Sequence, residues 1–424
     1  MNLGSASKLR GIIDLVLENE SRINEAKPIR YWYPLSLATY GTDEIIEALD
    51  SMCSFRTSMA EKTLLFERQF SKWQDSADAV MVNSGSSADL LLCLLMTNPL
   101  APLVPPGSEI IIPAVTWPTQ VWSAMMAGLK VKLVDVDPNT LNVDIEDLER
   151  SIGQETRAVF LVHLMGNPCD MDRIGALAKQ HNLLILEDCC EAMGATWGGR
   201  RVGNFGVGAA YSFFFSHHLT CMEGGMVIVP DVEKAEHLRI MRAHGWTRNV
   251  DPTKYELHKY PEIDPRYAFV NWGLNVRPTE VQAGFGIRQL EKADGFARRR
   301  TEIALRFNRI LADSQWLHAP KVSDKANPSW LGLPVMVDKA APFSRSDLIA
   351  HLEDCGVETR PVVTGNLVKH PVAKKLLSHV FDREYPGADE VHRRGFYVGL
   401  SPLFTDDVVD RLVSTFETFL ARYQ

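Results

Sequence analysis

The sequence has no CxxC pair among its seven cysteines (53, 93, 169, 189, 190, 221 and 355), most of which sit in apolar runs. That spacing excludes a zinc ribbon and offers no disulfide framework. No window stays apolar for the ~20 residues a membrane-spanning helix needs. The first residues, MNLGSASKLRGIIDLVLENE, lack a signal-peptide cleavage pattern. A cytoplasmic protein with no membrane partner is expected. Basic charge is also in short supply, with Lys and Arg totalling 45 against 53 Asp and Glu for a net charge of -8. Nucleic acids and anionic membranes attract a basic field, so small molecules are the expected partners.

What is present is an ordinary globular composition, 46% hydrophobic and 23% charged, over 424 residues. That length exceeds what one hydrophobic core organises, so one large and one smaller domain are expected. Residues 6–24 set Leu9, Ile12, Ile13, Leu15, Val16 and Leu17 on a broad helical face, predicting an N-terminal helix docked on the body or on a second subunit. From residue 79 the runs AVMVN, EIIIPAV, VKLVDVD, AVFLVHL and LLILED alternate with the helical stretches ADLLLCLLM and IGALAKQ. Continuously apolar strands separated by helices indicate an α/β fold with a mostly parallel mixed sheet covered on both faces. AAYSFFF and GGMVIVP predict a further strand pair. The segment after Glu280 reads as a long helix, bent near Gly284 and Gly286, leading to a smaller α/β domain. The expected division is a helix and arm at 1–32, a large domain at 33–290 and a small domain at 291–424. The aromatic, proline-containing stretch 246–270 has no sustained period and predicts a functional loop, in which Arg248 is a candidate substrate contact.

Several short stretches can carry chemistry. In MVNSGSSADLLLCLL a strand ends at Val82 and turns through Gly85, Ser86 and Ser87 into a helix, whose free N–H groups can hold a phosphate. The same serines serve equally as a helix cap. LLILEDCCEAMGA delivers Glu187 and Asp188 to a strand's C-terminal end, where open α/β sheets bind ligands, with Glu191 close behind. An acid there, with Glu191, can face a ligand cation; the other reading is a pair of solvated loop acids. Trp117 in IIIPAVTWPTQ is a stacking surface or core. Ser212 offers a hydroxyl to a phosphate, and Asn275 and Arg277 offer polar groups to a ligand or to the cap of the long helix. Arg360 in ETRPVVTGN clamps an acid or phosphate, or makes a salt bridge. GNFGVG at 203–208 precedes a strand and reads as a turn, and ARRR at 297–300 reads as a solvated helix face. SFFFSHHLTCMEGGM sets His217 beside His218 between two buried segments. Adjacent histidines cannot easily ligate one metal and no third ligand is spaced nearby, so no metal site is expected.

Taken in order, NSGSSADLLL, PAVTWPT, VDVDPNTLNVD, VHLMGNPCDMD, LEDCCEAMGA, SFFFSHHLTCMEGGM, GLNVRPTEVQAG and ETRPVVTGN resemble the DegT/DnrJ/EryC1/StrS sugar aminotransferases. These act on nucleotide-linked keto sugars with pyridoxal 5'-phosphate (PLP) on the aspartate aminotransferase fold, fold type I. The resemblance implies that Asp188 pairs with the pyridine nitrogen and that Glu191 sits near the ring hydroxyl, where relatives often have Gln. It implies that Trp117 stacks on the ring and that Gly85, Ser86 and Ser212 hold the phosphate. It also implies a homodimer with shared active sites, Asn275 reaching in from the other subunit.

Relatives read S-F-x-x-x-K-N where this sequence reads SFFFSHH, the lysine forming a Schiff base with PLP; counting from Ser212 puts His217 there. No lysine lies between Lys179 and Lys234 to replace it. Imidazole is not a primary amine, so it keeps proton transfer and loses covalent attachment. The match is to a histidine-for-lysine subgroup that dehydrates nucleotide-linked 4-keto-6-deoxyhexoses such as GDP-4-keto-6-deoxymannose. Similarity to it implies pyridoxamine phosphate (PMP) loaded from L-glutamate, deoxygenation at sugar C3, and release of ammonia and 2-oxoglutarate. The absence of cysteine from 222 to 354 favours the subgroup without an iron–sulfur cluster. His218 is a candidate substrate contact or a packing residue. Two other readings remain, an enzyme acting on a different sugar in natural-product assembly and a catalytically silent sugar-nucleotide-binding relative. Two departures stand out. Ala60 occupies a position where relatives commonly have glycine, and Glu191 beside a phenolate requires a proton on one of the two.

Overall fold

The computed structural model describes residues 3–25, 30–248 and 250–423, so parts of the predicted arm (1–2 and 26–29) lie outside the described residues. Strands β1 (Asp78–Val82), β2 (Glu109–Pro113), β3 (Lys130–Val134), β4 (Thr156–Val162) and β5 (Leu184–Asp188) precede a short hairpin of β6 (Thr196–Trp197) and β7 (Arg200–Arg201). Strands β8 (Gly208–Ser212) and β9 (Gly225–Val229) follow. Seven of these form one sheet in the order β1-β9-β8-β5-β4-β2-β3. Strand β9 runs antiparallel to both neighbours, and the other pairs are parallel. Helices cover both faces, which is why strands such as β5 and β9 carry near-continuous apolar residues. All strands except β9 end at one edge. Gly225, starting β9 there, pairs with Val82 and with Ser212, which fixes the end of β1 against the end of β8.

The helix Glu280–Asp313 leads away from this sheet. It runs unbroken where a bend was expected, and Gly286 has a different purpose: a Cβ there would lie 2.4 Å from the Phe66 ring. The glycine therefore permits close packing. The expected boundary at 290/291 falls inside this helix. Beyond it come β10 (Leu317–His318), β11 (Ala326–Asn327), β12 (Leu333–Val337), β13 (Thr359–Pro361) and β14 (Gly395–Val398). The order β10-β12-β14-β13 makes an antiparallel sheet, and β11 joins the β6–β7 hairpin. Tyr33 bridges in parallel to Val357, tying the early chain to this second sheet.

The N-terminal helix spans Leu3–Glu25 and buries Ile13, leaving Ile12, Leu15 and Val16 exposed. Ala60 lies at φ -155°, outside the positive-φ region that favours glycine. Its N–H, with those of Lys62 and Thr63, donates to the Glu280 carboxylate, which caps the helix Glu61–Gln74 from a distant part of the chain.

Candidate active site

The cradle at the strand edge begins where β1 turns into the helix Gly85–Met96. Ser84 is its N-cap, its Oγ accepting from the Ser87 N–H at 3.2 Å. The first helical N–H groups have no intrahelical partner and form an anion site. A Cβ on Gly85 would fall 2.5 Å from Ser212 Cβ and 3.2 Å from Cys190 Sγ, so only glycine lets the ends of β1, β5 and β8 converge here. Gly225 shares that constraint, since its Cβ would meet the Ser84 carbonyl oxygen at 2.3 Å. The sequence's NSGSS and EGG motifs are two sides of one close approach.

Neighbouring residues on β5 point to opposite faces. Glu187 turns away from Asp188. Its carboxylate accepts from the N–H groups of Gly203 (2.7 Å), Phe205 (2.7 Å) and Gly206 (3.1 Å). The GNFGVG turn wraps a buried acid. His163 Nε2 lies 3.1 Å from the same carboxylate while its Nδ1 accepts the Cys169 N–H at 3.0 Å, which places the ring proton on Nε2. His163, Glu187 and Cys189 bring potential ligand atoms within 4.8 Å of one another, but the histidine and glutamate atoms are already committed to these hydrogen bonds. Asp188 turns the other way, buried, with the Cys190 N–H on its Oδ1 at 2.9 Å. Glu191 accepts the Met165 N–H at 2.7 Å; burial pushes its pKa up to about 7 against that hydrogen bond, with the Asp188 charge adding to the rise.

His217 sits in the connection from β8 to β9 with its ring against the backbone of Ser212 and Cys190. Its Nδ1 is shielded from water and has no hydrogen-bond partner. Burial, then the Arg300 charge, lower its pKa to about 4, so the imidazole is neutral and able to accept a proton. His218, named as a possible substrate contact, is instead a packing residue: it is 4% exposed and its Nε2 meets the Ser329 carbonyl at 2.8 Å.

Arg300 corrects the reading of ARRR as a solvated face. Arg299 pairs with Asp406, but Arg300 is 2% exposed and donates to the carbonyls of Trp330, Leu331 and Leu400. No carboxylate pairs with it among the described residues. Burial lowers its pKa to about 10, which leaves it a cation behind the two histidines.

At the rim, Trp117 is 54% exposed at the start of the helix Pro118–Met126 and so is not core. Asn275 is exposed, its Oδ1 accepting from Arg277 Nε at 3.0 Å. Arg360 pairs with Glu358 at 2.8 Å. Beside it on β14 lies Tyr397, which feels both Glu191 and Arg360; sequence reasoning passed over this residue, which only the second sheet brings to the site. Arg248 stands over Trp246, 5.1 Å from its centroid. That ring continues a stack with Tyr267 and Phe269, apart from the residues meeting at the strand ends.

Known proteins resemble the chain in sequence and in fold. The chain is 35% identical over 370 residues to a GDP-4-keto-6-deoxy-D-mannose 3-dehydratase of Yersinia pseudotuberculosis, covering 87% of this chain and 93% of that protein. It is 32% identical over 397 residues to a dTDP-4-dehydro-2,6-dideoxy-D-glucose 3-dehydratase of Saccharopolyspora spinosa, covering 91% and 86%. A crystal structure of GDP-4-keto-6-deoxymannose-3-dehydratase with a trapped PLP-glutamate geminal diamine superposes with a TM-score of 0.83 at 34% identity, covering 91% of this chain and 100% of that one. The fold is that of the PLP-dependent aminotransferases, fold type I. With residues 39–417 matching it throughout, the chain belongs to the DegT/DnrJ/EryC1/StrS aminotransferase family.

Proposed function

We propose that this chain is a PLP/PMP-dependent 3-dehydratase that removes the C3 oxygen of a nucleotide-linked 4-keto-6-deoxyhexose, with L-glutamate as amino donor and ammonia released. The observation that carries this reading is a buried imidazole at His217, held neutral by that burial, in the connection where family aminotransferases carry their lysine. Deoxysugar biosynthesis is the class of pathway it serves.

The residues present fit PLP. The open N-terminus of the helix Gly85–Met96, with Ser86 and the Ser212 hydroxyl, suits a phosphate. Asp188 offers a buried carboxylate for the ring nitrogen, and Trp117 an exposed indole for the ring face. When bound, PLP supplies an electron sink that makes carbanion chemistry accessible. His217 Nδ1 is the atom free to take up and return a proton; lacking a primary amine, this residue leaves the cofactor untethered. Glu191, near neutrality in its own titration, holds a proton over the lower half of the working range. Arg300 stays charged throughout and biases His217 toward its neutral form.

We assign Asn275 to the cradle of a second copy in a homodimer, a role its exposure supports. Arg360 and Arg248 are assigned to the substrate's anionic groups.

Incubation with PLP, L-glutamate and GDP-4-keto-6-deoxymannose is expected to give a 3-deoxy sugar, with 2-oxoglutarate and ammonia in equal amounts. Parallel dTDP-, CDP- and UDP-linked keto sugars identify the nucleotide. A protein whose PLP absorbance does not respond to glutamate is the silent relative, and the proposal fails. Glu191→Gln provides a finer check. Wild-type kcat/KM is expected to fall as pH rises through about 7, where Glu191 ionises against the ring oxygen. The glutamine variant removes that limb, as a pH–rate series would record.

A further inference from the structure

Asp89 is the only charged residue in the helix Gly85–Met96, one turn below the phosphate end, and it is 1% exposed. Its Oδ2 accepts a single hydrogen bond, from Thr119 Oγ1 at 3.0 Å, and its Oδ1 has no partner. Other buried acids in this protein are well supplied with donors. Glu187 has three backbone N–H groups and His163, Glu280 has three backbone N–H groups and the Thr63 hydroxyl, and Glu67 has two arginines. An ionised carboxylate presents roughly four acceptor sites and is costly to bury unsatisfied, whereas a neutral acid needs one acceptor and one donor. By that measure Asp89 is built to carry a proton.

Its neighbour is Asp188. The groups facing the pair among the described residues are the Thr119 hydroxyl from the helix Pro118–Met126, the Cys93 and Cys190 thiols, and His163 beyond Asp188. None is an arginine or lysine. Burial raises the Asp188 carboxyl as well, but Asp188 is the better supplied, with the Cys190 amide and thiol. Burial, then the Asp188 charge, hold the Asp89 carboxyl well above the ordinary carboxylate range. Two buried carboxyls that feel each other's charge ionise one after the other, and the unequal donor supply decides which keeps its proton longer.

We propose that Asp89 is the protonated member of a buried acid pair and acts as a positioning residue that keeps Asp188 ionised where it meets the cofactor's ring nitrogen. Through Thr119 it also ties the helix that begins beside Trp117 to the helix that holds the phosphate. The second half of the proposal rests on the PLP reading above, and the proton assignment does not.

The test therefore has two arms. In cofactor-free protein at neutral pH, carbon-13 NMR of labelled aspartate is expected to show one carboxyl still protonated well above pH ~5, where free aspartic acid is ionised, and Asp89→Asn is expected to remove it. In the cofactor arm, Asp89→Asn mimics the neutral acid and is expected to bind PLP within about threefold of wild type at pH 7. Wild-type affinity is expected to fall by up to about tenfold per pH unit once Asp89 ionises, while the variant stays flat. A protonated signal that survives in Asp89→Asn, or its absence from wild type, overturns the proposal, and the wild-type spectrum decides even if the variant does not fold. Loss of the signal in a protein that never binds PLP upholds the proton assignment and sinks the cofactor reading instead.

Discussion

Replacing His217 by lysine is expected to anchor PLP covalently. After borohydride reduction and denaturation the cofactor stays on the variant chain and washes off the wild type, and mass spectrometry of the peptide carrying residue 217 reads the difference. The site favours that outcome. A lysine amine placed there would be desolvated and close to the Arg300 cation, both of which lower its pKa and raise its nucleophilicity. Dehydration is expected to suffer as well, because the lysine amine competes with the amino donor and the sugar for the cofactor. Losing a positioned general base costs about 10²–10⁴ in rate. His217→Asn separates the two effects, with a similar loss of turnover and no covalent retention. Should the lysine variant release PLP on denaturation after reduction, residue 217 does not face the cofactor and the functional reading falls.

Asp188→Asn is expected to be the next most damaging change. Asparagine keeps the shape and an acceptor but removes the charge that holds a proton on the ring nitrogen. Removing one partner of a buried ion pair costs about 3–5 kcal/mol, which is roughly a hundredfold to several thousandfold in Kd. The expected result is PLP affinity weakened by that factor, measured by absorbance titration, with 2-oxoglutarate formation falling at least as far. A variant that binds and turns over like wild type would mean that Asp188 faces something else.

Much of this site is legible in one dimension because it is built from strand ends. A parallel sheet gathers the carboxyl ends of its strands at one edge, so Gly85, Asp188 and Ser212 each follow directly from an apolar run that identifies its strand. The charges that tune them are a different matter. Arg300 sits among exposed arginines on a long helix, and which arginine turns inward depends on strands that come later in the chain. Glu280 caps a helix more than two hundred residues earlier, and no local signal announces that. Tyr397 needs the second sheet. Asp89 was within reach: one acid inside ADLLLCLLM is an anomaly that burial alone makes costly. The strand's alternation decides which of the two adjacent acids faces the cradle, since neighbours on a strand cannot both face the same side.

The way Tyr33 is held bears on how much chain is needed to fold. The stretch by which the family is recognised starts at residue 39 and stops at 417. Tyr33 is fully enclosed, donates its hydroxyl to the Gly399 carbonyl at 3.0 Å and lies over Phe404 at 4.3 Å between ring centres. At the other end, Phe419 packs edge-on against Phe343. Both plugs belong to the smaller lobe's interior and both fall outside the recognisable stretch. Trimming to those limits would open a hole on each side of that lobe, so the physical unit of inheritance here is longer than the signature that betrays it.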